Sequence, residues 1–216
     1  MRLLAALLLL ATPVLAAPAG SASAAVQQSN DHVRAALNAY FKAPDGPAKQ
    51  KARADARNAV GALLDFQAIA QATLGKHWNE LKPEQRARYT DSLRGAMEAN
   101  YLSKMQKGEV DVSKVRNEIL GETKQGDKTL VKTRVTSGND SAEVDYLLER
   151  GKKGWRAVDV ITEDVSLVDT YKEQVNRLLP KKGIDGVIQS LDRARKRLEE
   201  EQPKSASATP EAPAPR

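Results

Sequence analysis

The chain has 216 residues, 41% of them hydrophobic and 29% charged, with a formal net charge of +6 and no cysteine. That excludes disulfides, thiolate metal sites, cysteine nucleophiles and a lipid linked through cysteine, so stability must come from the core. Once a leader and a polar tail are set aside, one domain of ordinary size remains, large enough for a single core.

Met1-Arg2 precedes an unbroken run of Leu and Ala from Leu3 to Ala11, then Pro13 and a small-residue stretch up to Ala24. A charged start, a short apolar run and small residues form the pattern of a secretory signal peptide. The run is shorter than the roughly 20 apolar residues that span a bilayer. Residues 1–24 are therefore read as a signal, with the cut after Ala16, Ala17, Ala19 or Ala24.

Residues 25–30 read as a polar leader. From Asp31 to Phe41, Val33, Ala36, Leu37 and Tyr40 recur at helical spacing. The residues Ala43-Pro44-Asp45-Gly46-Pro47 mark a turn. A second helix is expected over 48–64. Asp65 caps a short third helix, Phe66 to Leu74, which stops at Gly75. The longest helix opens at Pro83-Glu84, where proline suits the first helical position and the acid suits the helix dipole. It is expected to run to about Lys107, with Tyr89, Leu93, Met97, Tyr101 and Met105 forming one apolar ridge.

Beyond Gly108 the apolar period becomes two. Val110 and Val112 alternate with charge, and strands are expected over 115–123, 129–135, 142–148 and 155–161, joined at tight Gly-containing turns. The last has apolar residues on both faces (Trp155, Ala157 and Ile161 against Val158 and Val160), which predicts a central strand. Helices follow over 167–179 and 185–200, and 202–216 is a Pro/Ala/Ser tail with no core-forming residues. The chain is thus expected to have a signal (1–24), one domain (25–201) and a tail. Helices, then an antiparallel β-meander, then helices define an α+β domain.

Motifs for chemistry are sparse. The two histidines, His32 and His77, have no metal-ligand spacing, and no GxSxG elbow or P-loop occurs. Glu163, Asp164 and Asp169 flank Ser166, which suits the N-cap of the following helix. No catalytic residue, metal or cofactor is assigned. The positive charge is diffuse and lacks an RNP or helix-turn-helix pattern, so nucleic acid is not an expected partner.

One ordered set of segments carries a resemblance: Asp65-Phe66, Leu74-Gly75-Lys76-His77-Trp78, Glu84-Gln85-Arg86, Tyr101, Val144-Asp145-Tyr146, the stretch Gly154 to Val160, Val165-Ser166-Leu167 and Tyr171-Lys172-Glu173-Gln174. Over about Asp31 to Leu191 the chain resembles the MlaC, or toluene-tolerance, family of periplasmic lipid carriers. The resemblance implies a periplasmic, non-enzymatic carrier of phospholipid. It also implies an inner-membrane ABC transporter complex with an MCE-type protein, and an outer-membrane lipid complex, as partners. Two departures bear on the cargo. The chain has Thr170-Tyr171-Lys172 where the family usually has Asn-Tyr-Arg, and Leu93 and Val175 where it often has Phe. Some members of that family sit beside hopanoid- or sterol-like lipid systems, so the resemblance also implies a hopanoid-like lipid as an alternative cargo.

Such a role makes a physical demand. Each buried methylene costs about 0.8 kcal/mol to expose, so a two-chain lipid with roughly thirty of them needs on the order of 20 kcal/mol to leave a membrane unaided. A carrier must replace that environment with an apolar cavity. The expected lining is Leu64, Ile69, Leu74, Tyr89, Leu93, Met97 and Tyr101 from the helices, Val131, Val144, Tyr146 and Val160 from the sheet, and Val168 and Tyr171 from the helix after it. By family analogy Lys172 stands near the mouth, within reach of a head group. Two alternatives are a small pocket enzyme of the isomerase or hydratase type, using Asp145, Tyr146 and Asp159, and a periplasmic adaptor with a filled core.

Overall fold

Ser21 starts the first helix, accepting a hydrogen bond from the Ala24 N–H at 3.0 Å. Helix α1 (Ala22–Lys42) therefore begins well before Asp31, and residues 25–30, read above as a polar leader, are its second and third turns. Ala22 and Val26 are fully buried. Alanine adds little to an apolar period, so this inward face was hidden among Gln27, Gln28, Ser29 and Asn30. The computed structural model describes residues 20–106, 114–152 and 154–200. The signal run, the Val110/Val112 alternation and the tail lie outside the described residues.

Helices α2 (Pro47–Gly61) and α3 (Phe66–Leu74) follow, then a 3-10 turn (Gly75–Glu80) and α4 (Pro83–Gln106). Asp65 caps α3 by accepting from the Ala68 N–H at 3.0 Å. Gly75 ends it at φ +55°, a conformation that glycine adopts without a Cβ penalty. Strands β1 (Val115–Gln125), β2 (Lys128–Ser137), β3 (Asp140–Gly151), β4 (Gly154–Thr162) and the two-residue β5 (Val165–Ser166) form one antiparallel sheet in sequence order. Helix α5 (Leu167–Glu200) bends at Gly183, whose φ of 60° and ψ of −177° suit glycine almost alone, and both of its segments face one cleft.

Strand β4 is not central, contrary to the sequence expectation. Beyond β3 it pairs with the two-residue β5 at Ile161 and Thr162 and bridges Leu64 at Ala157. Its free edge is covered by a loop instead. The Ala157 N–H donates to the Leu63 carbonyl and the Asp65 N–H to the Ala157 carbonyl, both at 2.8 Å. The Arg156 guanidinium ties the Ala62 and Leu64 carbonyls from the same edge. A bulge sets Leu147 against Asp159 but Leu148 against Ala157, and that extra residue places Val158 out of alternation. The two-faced apolar pattern records a bulge and a covered edge.

The core is one cluster between the helices and one face of the sheet, with a smaller cluster of Leu37, Tyr40, Ala56 and Leu102 joining α1, α2 and α4. The opposite sheet face is polar. Cross-strand ion pairs there (Lys128–Glu149, Lys132–Asp145, Arg134–Glu118) are exposed on at least one side and add little stability.

Candidate functional site

The inner sheet face is built by register. Val131 of β2 stands opposite Tyr146 of β3, and Tyr146 stands opposite Val160 of β4, so the three share one row. Val144 and Leu148 flank Tyr146 on the same face, one position of alternation away in each direction. Helix α1 lies against β1 and β2, while α3 and α5 lie against β4.

Above β3 the side chains keep surface. Val144, Tyr146 and Val160 are half-buried, as are Tyr101 of α4 and Val168 of α5. Tyr146 reaches α1, where its O–H donates to Asn30 Oδ1 at 3.2 Å. The other expected lining residues are packed more tightly. Leu64, Ile69, Leu74, Tyr89, Leu93, Met97, Val131 and Tyr171 are buried members of the main cluster. Tyr146, Val160 and Val168 pack against that cluster, and Tyr101 packs against the smaller one. Lys172 is exposed, next to the buried Tyr171.

A second apolar space was not foreseen. A cleft of about 310 Å³ lies between α4 and the two segments of α5, lined by Leu167, Tyr171, Val175, Leu178, Val187 and Leu191 among others. Of the expected residues only Tyr171 lines it. The spacing of Leu167, Tyr171, Val175 and Leu178 was visible as helical periodicity. That they face Val187 and Leu191 depends on the reversal at Gly183, which periodicity does not encode. Asn30 was also missed, being a polar residue in a segment read as a leader.

Four tyrosines sit in this interior, and desolvation raises the pKa of each. Burial pushes the Tyr89 phenol up to about 12, against the opposing effect of its hydrogen bond with Thr73. Burial also pushes Tyr171 up to about 12 and raises Tyr101 and Tyr146, the latter further raised by Tyr101 beside it. An acidic group with a raised folded pKa stabilises the fold fully below its unfolded pKa, near 10, and loses that contribution as pH climbs toward the folded value. Urea midpoints measured from pH 7 to 11.5 are therefore expected to hold up to about pH 9.5 and fall beyond pH 10. Absorbance titration at 295 nm should show these four phenols ionising only as the protein unfolds.

The residues considered for catalysis do not converge. Asp145 lies on the sheet face opposite Tyr146, accepting from the Thr133 N–H at 3.2 Å beside Lys132 at 3.7 Å. Asp159 is occupied structurally, accepting from Val160 N–H at 2.8 Å, Ser166 O–H at 2.6 Å and Val168 N–H at 3.1 Å. Ser166 in turn accepts from the Asp169 N–H at 3.0 Å, the expected N-cap. Among the described residues no three His, Asp or Glu side chains are grouped to hold a metal ion, and no helix is long and apolar enough to cross a membrane.

The family model described as MlaC protein matches residues 27–193. The chain belongs to the MlaC family. The matched MlaC region runs from the second turn of α1 to the last turns of α5, and takes in the whole sheet and most of the lining of the α4–α5 cleft. The MlaC fold seen here is similar to that of a phospholipid-binding protein from Ralstonia solanacearum, solved in complex with a phospholipid. That likeness has a TM-score of 0.70 at 22% identity, covering 83% of this chain and 99% of the other.

Proposed function

We propose that this protein is a periplasmic carrier that binds the acyl chains of a phospholipid, or of a hopanoid-like lipid, against the inner sheet face. It passes its cargo between an inner-membrane ABC transporter complex with an MCE-type protein and an outer-membrane lipid complex. The observation that carries this reading is the strip Val144, Tyr146 and Val160 on the inner sheet face with Val168 of α5, which stays only half-buried. Family membership supports it, as does likeness to a protein solved with a phospholipid. Loading a two-chain lipid spreads α4 and α5 from the sheet and from each other, since the α4–α5 cleft of about 310 Å³ lies at the small end of ligand pockets, which run to about 1,000 Å³. Protein isolated from the periplasm is expected to carry co-purified lipid. Organic extraction and mass spectrometry that return none would count against the proposal.

Export enters the proposal with a restriction on processing. Trp155 Nε1–H donates to the Gly20 carbonyl at 2.9 Å, Ser21 caps α1, and Ser23 donates to Glu122 from N–H at 2.9 Å and O–H at 2.7 Å. A cut after Ala24 would remove all three anchors and the buried Ala22. The exported protein is therefore expected to begin at or before Gly20, after Ala16, Ala17 or Ala19. Intact mass of the periplasmic protein checks this, and a start at Ala25 would refute it.

A further inference from the structure

Asn30 holds an unusual position for an amide. Its Oδ1 accepts from the Tyr146 phenol at 3.2 Å, while its Nδ2 is buried with no hydrogen-bond partner. Tyr146 is bracketed across the sheet by Val131 and Val160 and along its strand by Val144 and Leu148. A buried donor left unmade costs about 1–3 kcal/mol, and such a group calls for a specific partner, in a native protein often a bound water or ligand. Rotating the amide by 180° would direct one N–H at the phenol oxygen and free the phenol O–H, so in either arrangement the pair keeps two unspent donor hydrogens.

We propose that Asn30 and Tyr146 form a fixed polar station on the apolar inner face, donating a hydrogen bond to the uncharged carbonyl oxygen of an acyl ester. This rests on the lipid-binding reading above and adds where along the lipid the protein takes hold. The surroundings select an ester over a charged group. The Tyr146 phenol bonds the neutral Asn30, and the residues across and along the sheet from it are Val131, Val160, Val144 and Leu148. An anionic phosphate there would lose its hydration with no opposite charge to replace it. A neutral carbonyl oxygen, with two lone pairs, can accept from these donors without bringing a charge into the apolar face. Two acyl chains then extend over Val144 and Val160, while the head group lies further out.

The test uses the full exported protein and an equimolar mixture of two phosphatidylethanolamines, one ester-linked and one ether-linked, with equal chain lengths and dispersed in mild detergent. A third arm adds a free fatty acid of the same length. Bound lipid is quantified by mass spectrometry after repurification. The native protein is expected to prefer the ester lipid about tenfold, the ratio that one hydrogen bond of about 1.4 kcal/mol gives. Asn30→Leu is expected to take up both two-chain lipids equally. Tyr146→Phe, which keeps the ring, should reduce the preference and serves if Asn30→Leu fails to fold. Equal uptake by the native protein, or an ester preference that survives in a folded Asn30→Leu protein, would overturn the station while leaving lipid carriage intact. Preference for the free acid over both two-chain lipids would overturn the ester assignment. Uptake of no lipid at all would overturn the station and the carrier reading together.

Discussion

Val144→Trp is expected to cut lipid loading by about tenfold or more, equivalent to at least about 1.4 kcal/mol of lost binding, while the protein stays folded. Val144 is half-buried on the inner face of β3 and belongs to neither core cluster. If acyl chains lie over Val144 as proposed, an indole there takes their place, so the added bulk displaces ligand rather than core. Its backbone role is unaffected, because the Val144 carbonyl that accepts from the Thr133 hydroxyl belongs to the main chain. Lipid recovered per mole of protein, read beside circular dichroism and a urea midpoint, checks both halves of the expectation. A folded Val144→Trp protein with native loading would remove Val144 from the lining.

Leu93 should behave in the opposite way, although both residues were read from the sequence as cavity lining. Leu93 is fully buried in the main cluster with Ile69, Tyr89 and Met97. Leu93→Ala is expected to lower the unfolding free energy by about 3 kcal/mol, within the range of about 2–5 kcal/mol for deleting a buried leucine. Leu93→Trp should also destabilise, by about 1–3 kcal/mol, because a well-packed site admits extra atoms only by shifting its neighbours. Urea unfolding of the three variants gives the comparison directly. A Leu93→Trp protein as stable as the native one would mean that the space beside α4 is open, and would return Leu93 to the lining.

The contrast between these two residues marks how far a pattern can be read. Periodicity identified the apolar face of α4 and of each strand, and a residue on such a face is buried somewhere. It could not say whether Val144 meets a helix or a gap, because that depends on where α1 and α5 settle across the sheet. Asn30 shows the same limit from the other side. A polar residue in a run of Gln, Ser and Asn gave no reason to suspect an interior position until α1 was placed against β1 and β2. The α4–α5 cleft needed the reversal at Gly183, a single backbone conformation that brings together residues some twenty positions apart. On β4 the sequence pattern misled outright, since a bulge and an edge covered by residues 62–65 leave the same two-faced signature as a central strand.

Local chemistry alone determined the α+β order of elements, the turns at Gly126, Gly138 and Gly154, the Asp65 and Ser166 caps and the absence of any disulfide. Each depends on residues within a few positions of one another, and so does the ordered set of segments that marks the family. The tertiary structure decided which apolar residues became core and which kept surface, how α1 begins, and that the Asn30 Nδ2 is buried without a hydrogen-bond partner. Those outcomes are set by contacts between segments about a hundred residues apart, such as Asn30 with Tyr146 and Ser23 with Glu122. A residue's own neighbours along the chain fix its conformation, but only the docking of whole elements fixes what it faces.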